Sequence, residues 1–125
     1  MSDDDNDLDD RLESYVSGLF APEDDVLRSL RAAMADRDFP DIAISAAEGA
    51  LLGVLMTAIR ARRVLEIGTL GGYSAIWIAR ALPAGGRVIT LEVDPERAAF
   101  ARAFAARAGL ADMVDVRVGP ALASL

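Results

Sequence analysis

The sequence predicts an α/β fold: N-terminal helices followed by a parallel βαβαβ arrangement, the first half of a doubly wound sheet. Three observations carry it. Short apolar runs at 64–67 and 88–91 and an alternating run at 114–118 read as strands. The segments between them read as helices, and strand–helix–strand spacing of this kind implies right-handed crossovers. A glycine loop, Gly68 to Gly72, joins the first strand to the first of those helices.

A chain of 125 residues with 53% hydrophobic content is about one domain with enough apolar mass for a core. There is no cysteine, hence no disulfide framework and no thiol nucleophile, which fits a reducing, cytoplasmic setting. There is no histidine, so the commonest metal ligand and neutral-pH base are absent. Residues 1–20 hold seven acids and one arginine, net −6, out of −7 for the whole chain. The remaining residues are close to neutral, and no basic patch argues for nucleic acid. Residues 1–7 are expected to form a disordered acidic terminus, without the basic and apolar regions of a signal peptide. The most apolar stretch, 50–59, is too short to span a membrane and is interrupted by Gly53.

Leu8, Leu12, Tyr15, Val16 and Leu19 recur at helical spacing and predict a first helix over about 8–19. Pro22, Glu23 and Asp24 suit the first turn of a second helix, which Val26, Leu27, Leu30 and Met34 continue to about Arg37. Phe39-Pro40 breaks it. Ser45 and Glu48 have the form of a capping box before Leu51, Leu52, Leu55, Met56 and Ile59, a third helix whose apolar face is expected to pack on a sheet. Gly49 is costly inside that helix and points to a close backbone approach.

These three helices make an N-terminal segment over 8–62, and the sheet begins at 63. A helix from about Gly72 to Leu82 follows the first strand, and Pro83 to Gly86 form a turn. After the second strand, Asp94-Pro95 supply an N-cap and first-turn proline, and Gly109 suits the far end of that helix. The third strand alternates cleanly and is expected at a half-exposed edge, with 64–67 and 88–91 further inside.

A strand feeding a glycine loop and a helix surrounds a ligand with backbone N–H groups and a helix N-terminus. The glycines here miss the G-x-G-x-x-G spacing, and the absence of lysine excludes a P-loop. Gly68 lets the chain turn, Gly71 and Gly72 let a ligand approach the backbone, and the N–H groups and hydroxyl of Tyr73-Ser74 can hold a carboxylate. Glu66, a carboxylate in a buried strand, needs partners. Either it accepts from loop N–H groups and stiffens the loop, or it faces the ligand. Glu92 ends the second strand, twenty residues after Gly72, where a doubly wound site places the acid that grips the ribose hydroxyls of an adenosine. Asp94 is a helix cap. Gly119 and Ala121 lie on the same carboxyl edge and can border an adenine. The residues thus indicate an adenosine-containing ligand with a carboxylate or phosphate tail.

The run Val64 to Ser74, with its Gly-Tyr-Ser ending, resembles the first motif of the S-adenosylmethionine-dependent O-methyltransferases of the catechol and caffeoyl-CoA type. Leu91 to Glu96 is similar to the family's second motif, and Ala108 to Leu110 with Val118 to Ala121 to its third. The resemblance covers about 42–125. It implies a Rossmann-like cofactor-binding part over 63–125, with S-adenosyl-L-methionine as cofactor. By the same resemblance Ser74 and the nearby backbone of Tyr73 hold the methionine carboxylate. Gly68, Thr69 and Gly72 line the methionyl end with Glu66 beneath. Glu92 takes the ribose hydroxyls, Gly119 and Ala121 lie by the adenine, and Ala47 and Gly49 approach from above. The N-terminal helices correspond to the region that shapes the acceptor pocket and often a homodimer contact.

The family's pattern continues beyond the third strand with a fourth strand, the acidic and amide ligands of a divalent metal such as Mg²⁺, and often a lysine base. No catalytic or metal-binding residue is therefore assigned to this chain. The expectation is a cofactor-binding portion of an enzyme that methylates a hydroxyl of a small, catechol-like acceptor, inactive by itself, with its first strand left at a bare apolar edge. Alternatives are completion by another chain or by domain exchange, and a non-catalytic adenosine-cofactor-binding or interaction module. A nucleotide-binding domain of another enzyme class is the external rival, and the glycine spacing counts against it.

Overall fold

The structure, a computed structural model, describes residues 3–125. Helix α1 spans Asp3–Phe20, α2 Asp25–Asp36 and α3 Ala46–Ala58. They are followed by β1 (Arg63–Ile67), α4 (Tyr73–Ala81), β2 (Arg87–Glu92), α5 (Pro95–Arg107), β3 (Val114–Val118) and the short α6 (Ala121–Ser124). Of residues 1–7, Met1 and Ser2 lie outside the described residues, and the others belong to α1.

Local chemistry sets most boundaries. Ser45 and Glu48 form the capping box, with Glu48 N–H donating to Ser45 Oγ at 3.1 Å and Ser45 N–H to Glu48 Oε2 at 2.7 Å. Asp94 caps α5 by accepting from the N–H groups of Glu96 and Arg97 at 2.8 and 3.2 Å. Helix α2 starts later than the proline suggests. Asp24 is its N-cap and accepts from Leu27 N–H at 3.0 Å, so Pro22 and Glu23 precede the helix instead of opening it.

The strands form one parallel sheet in the order β1-β2-β3. Val64, Val88 and Val114 stand in register on one face, as do Glu66, Thr90 and Val116. The crossover helices α4 and α5 both pack on that face. Ile76, Ala79, Ala98, Ala101 and Phe104 form the core with it, joined by Leu27, Leu30 and Met34 of α2.

Two expectations change. Helix α3 lies along α4 and leaves the sheet to α4 and α5, because Gly49 and Gly53 admit Trp77 and Ala81 of α4 at close range. Its side chains Leu51, Val54, Leu55 and Ile59 remain exposed. Strand β1 is an edge among the described residues, since only β2 pairs with it; this is the bare apolar edge expected of it and not the interior place that its apolar run suggested. Leu65 is 51% and Ile67 63% exposed.

Candidate functional site

The carboxyl ends of β1 and β2 carry the glycine loop. Its backbone takes positive φ at Gly68 (93°), Leu70 (53°) and Gly72 (86°). Gly68 and Thr69 donate their N–H groups to the Leu91 carbonyl at 2.9 and 3.2 Å, folding the loop over the end of β2. A Cβ on Gly68 would meet nothing within 4 Å, so its surface is open. Gly71 and Gly72 also serve packing. A Cβ on Gly71 would strike Met34 and Phe100, and one on Gly72 would sit 3.1 Å from Ala101 Cβ. Gly72 is also the N-cap of α4 and supplies no side-chain cap, so the first-turn N–H groups of Tyr73 and Ser74 face the loop without one.

Beneath the loop runs a chain of hydroxyls ending on a carboxylate. Thr90 Oγ1 donates to Glu66 Oε1 at 2.7 Å, and Ser74 Oγ donates to Glu66 Oε2. Thr90 has a single hydroxyl hydrogen, so in the 2.6 Å contact between Thr69 and Thr90 it is Thr69 that donates. Burial pushes the Glu66 carboxyl above its ordinary range, and the Ser74 and Thr90 hydroxyls only partly oppose this.

Glu92 is bound differently. It is 5% exposed, and its two oxygens accept the N–H groups of Leu70 at 2.8 Å and Asp94 at 3.0 Å. The left-handed Leu70 is thus held by a charge-assisted bond from the next strand. Each Glu92 oxygen keeps a second lone pair for another donor.

These groups line a cleft of about 520 Å³ whose far wall is Ile42, Ala43, Ile44 and Leu52. Of the residues singled out in the sequence, Glu66, Gly68, Thr69, Gly71, Tyr73, Ser74 and Glu92 border it. The Tyr73 side chain turns away, its hydroxyl donating to Glu23 Oε1 at 2.5 Å, which leaves its backbone for the cleft. Gly49 packs on Trp77, and Ala47 sits in the first turn of α3. Gly119 donates its N–H to the Glu92 carbonyl at 2.9 Å, and Ala121 opens α6, so both stand beside the cleft instead of lining it.

Sequence reasoning did not find Ile42, Ala43, Ile44, Leu52 or Arg97 as cleft residues. Residues 42–44 lie in irregular chain with no periodicity to read. Leu52 looks like any core leucine. Arg97 sits in the first turn of α5 beside Asp94, and a basic residue three positions after an N-cap was the available signal.

The family model described as O-methyltransferase matches residues 17–125. The chain is 50% identical over 114 residues to a catechol O-methyltransferase of Mycobacterium tuberculosis, covering 91% of this chain and 52% of that protein. It is 43% identical over 117 residues to a catechol O-methyltransferase of Niastella koreensis, covering 94% and 53%. Among solved structures it is similar to the O-methyltransferase from Bacillus cereus in complex with SAH, at TM-score 0.87 and 44% identity over 91% of this chain and 52% of that one. It is also similar to TomG from Streptomyces achromogenes in complex with SAM, at TM-score 0.86 and 45% identity over 90% and 51%. The chain spans about half the length of the curated relatives it matches.

Proposed function

The chain belongs to the O-methyltransferase family, and on that premise we propose that its cleft binds S-adenosyl-L-methionine for methyl transfer to a hydroxyl of a small, catechol-like acceptor. The observation that carries the reading is the pairing, across one cleft, of an anchored carboxylate with a helix start that has no side-chain cap. Glu92 offers two lone pairs to a ribose diol. The first-turn amides of α4, with their share of the helix dipole, suit the methionine carboxylate. Similarity to the SAH- and SAM-bound relatives supports the same cofactor. Gly68 and Thr69 lie between these two ends, over Glu66.

Bound S-adenosylmethionine supplies an electrophilic methyl group. The residues of this chain orient it: Glu92 fixes the ribose, the start of α4 fixes the amino-acid end, and Ile42, Ile44 and Leu52 exclude water from one side. No group of three His, Cys, Asp or Glu side chains among the described residues is placed to hold a metal ion. In the pattern that the resemblance implies, the ligands of a Mg²⁺ come after the third strand, and none is assigned to a residue of this chain.

In this reading residues 63–125 are the cofactor-binding part, and the helical segment 8–62 contributes the opposite wall. Apolar side chains exposed on α1 and α3, such as Tyr15 and Val54, suit a homodimer contact. No helix among the described residues is long and apolar enough to cross a membrane, and a cytoplasmic setting is proposed with it.

Calorimetric titration with S-adenosylhomocysteine and with NAD tests the reading. Binding of the first and not of the second is expected. Binding of NAD alone would move the chain to another enzyme class.

A further inference from the structure

The wall over the cleft is irregular chain, and little of its own backbone holds it. Between Phe39 and Ser45 the backbone bond among the described residues is Ile42 N–H to the Pro40 carbonyl at 2.9 Å. Beyond it, the capping box fixes Ser45. Ile42, Ala43 and Ile44 nevertheless face the loop that opens α4. One side chain ties the two together. Arg31 of α2 donates through Nη2 to the Ile44 carbonyl at 2.7 Å and through Nε to Glu23 Oε1 at 2.7 Å. The central carbon of the same guanidinium, Cζ, lies over the Tyr73 ring at 3.9 Å from its centre. Tyr73 closes the figure by donating its hydroxyl to Glu23 Oε1 at 2.5 Å.

We propose that Arg31 is a positioning residue for the cofactor cleft, a clamp that fixes the 42–44 wall against the first turn of α4. The inference rests on the reading of the cleft as a cofactor site for its consequence in binding, but not for the clamp itself. Three contacts of different direction meet at one planar group: two diverging N–H donors and a cation–π contact over the Tyr73 ring. A guanidinium makes all three at once, and an ammonium does not. The site is part-buried, with the Arg31 and Glu23 side chains 33% and 21% exposed. Burial opposes the charge on Arg31, and the bonds from Glu23 and Tyr73 outweigh it, so the guanidinium pKa is raised and the clamp stays charged. The wall is thereby set by α2, an element that contributes no side chain of its own to the cleft lining.

The test uses Arg31→Ala and Arg31→Lys in the intact protein with two readouts. The first is thermolysin nicking before Ile42 and Ile44 without ligand, followed by mass spectrometry. The second is the dissociation constant for S-adenosylhomocysteine. Arg31→Ala is expected to raise nicking at these two bonds, with strands β1–β3 still protected, and to weaken binding about tenfold, the loss of one charge-assisted hydrogen bond. Arg31→Lys keeps the charge and is expected to stay nearer to the alanine variant than to wild type in both readouts. Unchanged nicking, nicking raised uniformly over the chain, or full rescue by lysine would each overturn the clamp. If wild type does not bind S-adenosylhomocysteine but nicking rises locally, the cofactor reading falls and the clamp stands. If wild type binds and Arg31→Ala binds equally well, the clamp's role in binding falls and the cofactor reading stands.

Discussion

Glu66 and Glu92 stand on neighbouring strands and border the same cleft, yet they are held by different kinds of donor. Glu92 accepts two backbone N–H groups, from Leu70 and Asp94. Glu66 accepts two hydroxyls, from Ser74 and Thr90. An amide N–H is fixed by the fold, so Glu92 is held in place and locks the loop in turn. A hydroxyl rotates, so Glu66 tolerates gain of a proton. Once protonated it can donate to Ser74, which frees the Ser74 hydrogen for an incoming carboxylate. One glutamate is an anchor and the other is adjustable.

The most severe way to break this contrast is Glu92→Ala. It leaves the Leu70 and Asp94 N–H groups without their acceptor and removes the proposed ribose contact. A stability loss of roughly 3 kcal/mol and a loss of S-adenosylhomocysteine affinity of about a hundredfold or more are expected. Asp94→Ala removes a helix cap and should cost about 1 kcal/mol of stability, with affinity changed by no more than about threefold. Chemical denaturation and titration of both variants would check this. Equal losses of affinity would mean that Glu92 is not the ribose acid.

A smaller effect sharpens the other half. Burial raises the Glu66 pKa in the folded protein above the ordinary carboxylate value. Between the unfolded and folded values the native state holds a proton that the unfolded chain has released. This contribution is complete below the unfolded pKa and is lost as pH rises through the folded one. Glu66→Gln removes the titration while keeping the shape. Its unfolding free energy should therefore stay level from mildly acidic to neutral pH relative to a declining wild type. A parallel decline in both proteins, measured by urea denaturation across that range, would assign the slope to other groups.

Much of the fold was legible because it is written locally. The capping box at Ser45 and Glu48, the Asp94 cap and the three strands each depend on residues within a few positions of one another. What misled was non-local. The sequence suggests loop N–H groups as partners for Glu66, but the loop is held from the next strand by Glu92, through a Leu70 contact 22 residues away. Gly71 borders the cleft, while the space that a side chain there or at Gly72 would take is filled by Met34 and Ala101 from other helices. The apolar face of α3 predicted burial on a sheet that α4 already covers. The wall at 42–44 depends on Arg31, and nothing in its own sequence marks it.

The most direct measurement is a crystal structure of the protein with S-adenosylhomocysteine bound. The account predicts the ribose hydroxyls within hydrogen-bond distance of the Glu92 carboxylate, the amino-acid carboxylate at the N–H groups that open α4, and Leu70 N–H still on Glu92. A ligand seated outside this cleft, or a ribose held by Glu66 with Glu92 untouched, would contradict it.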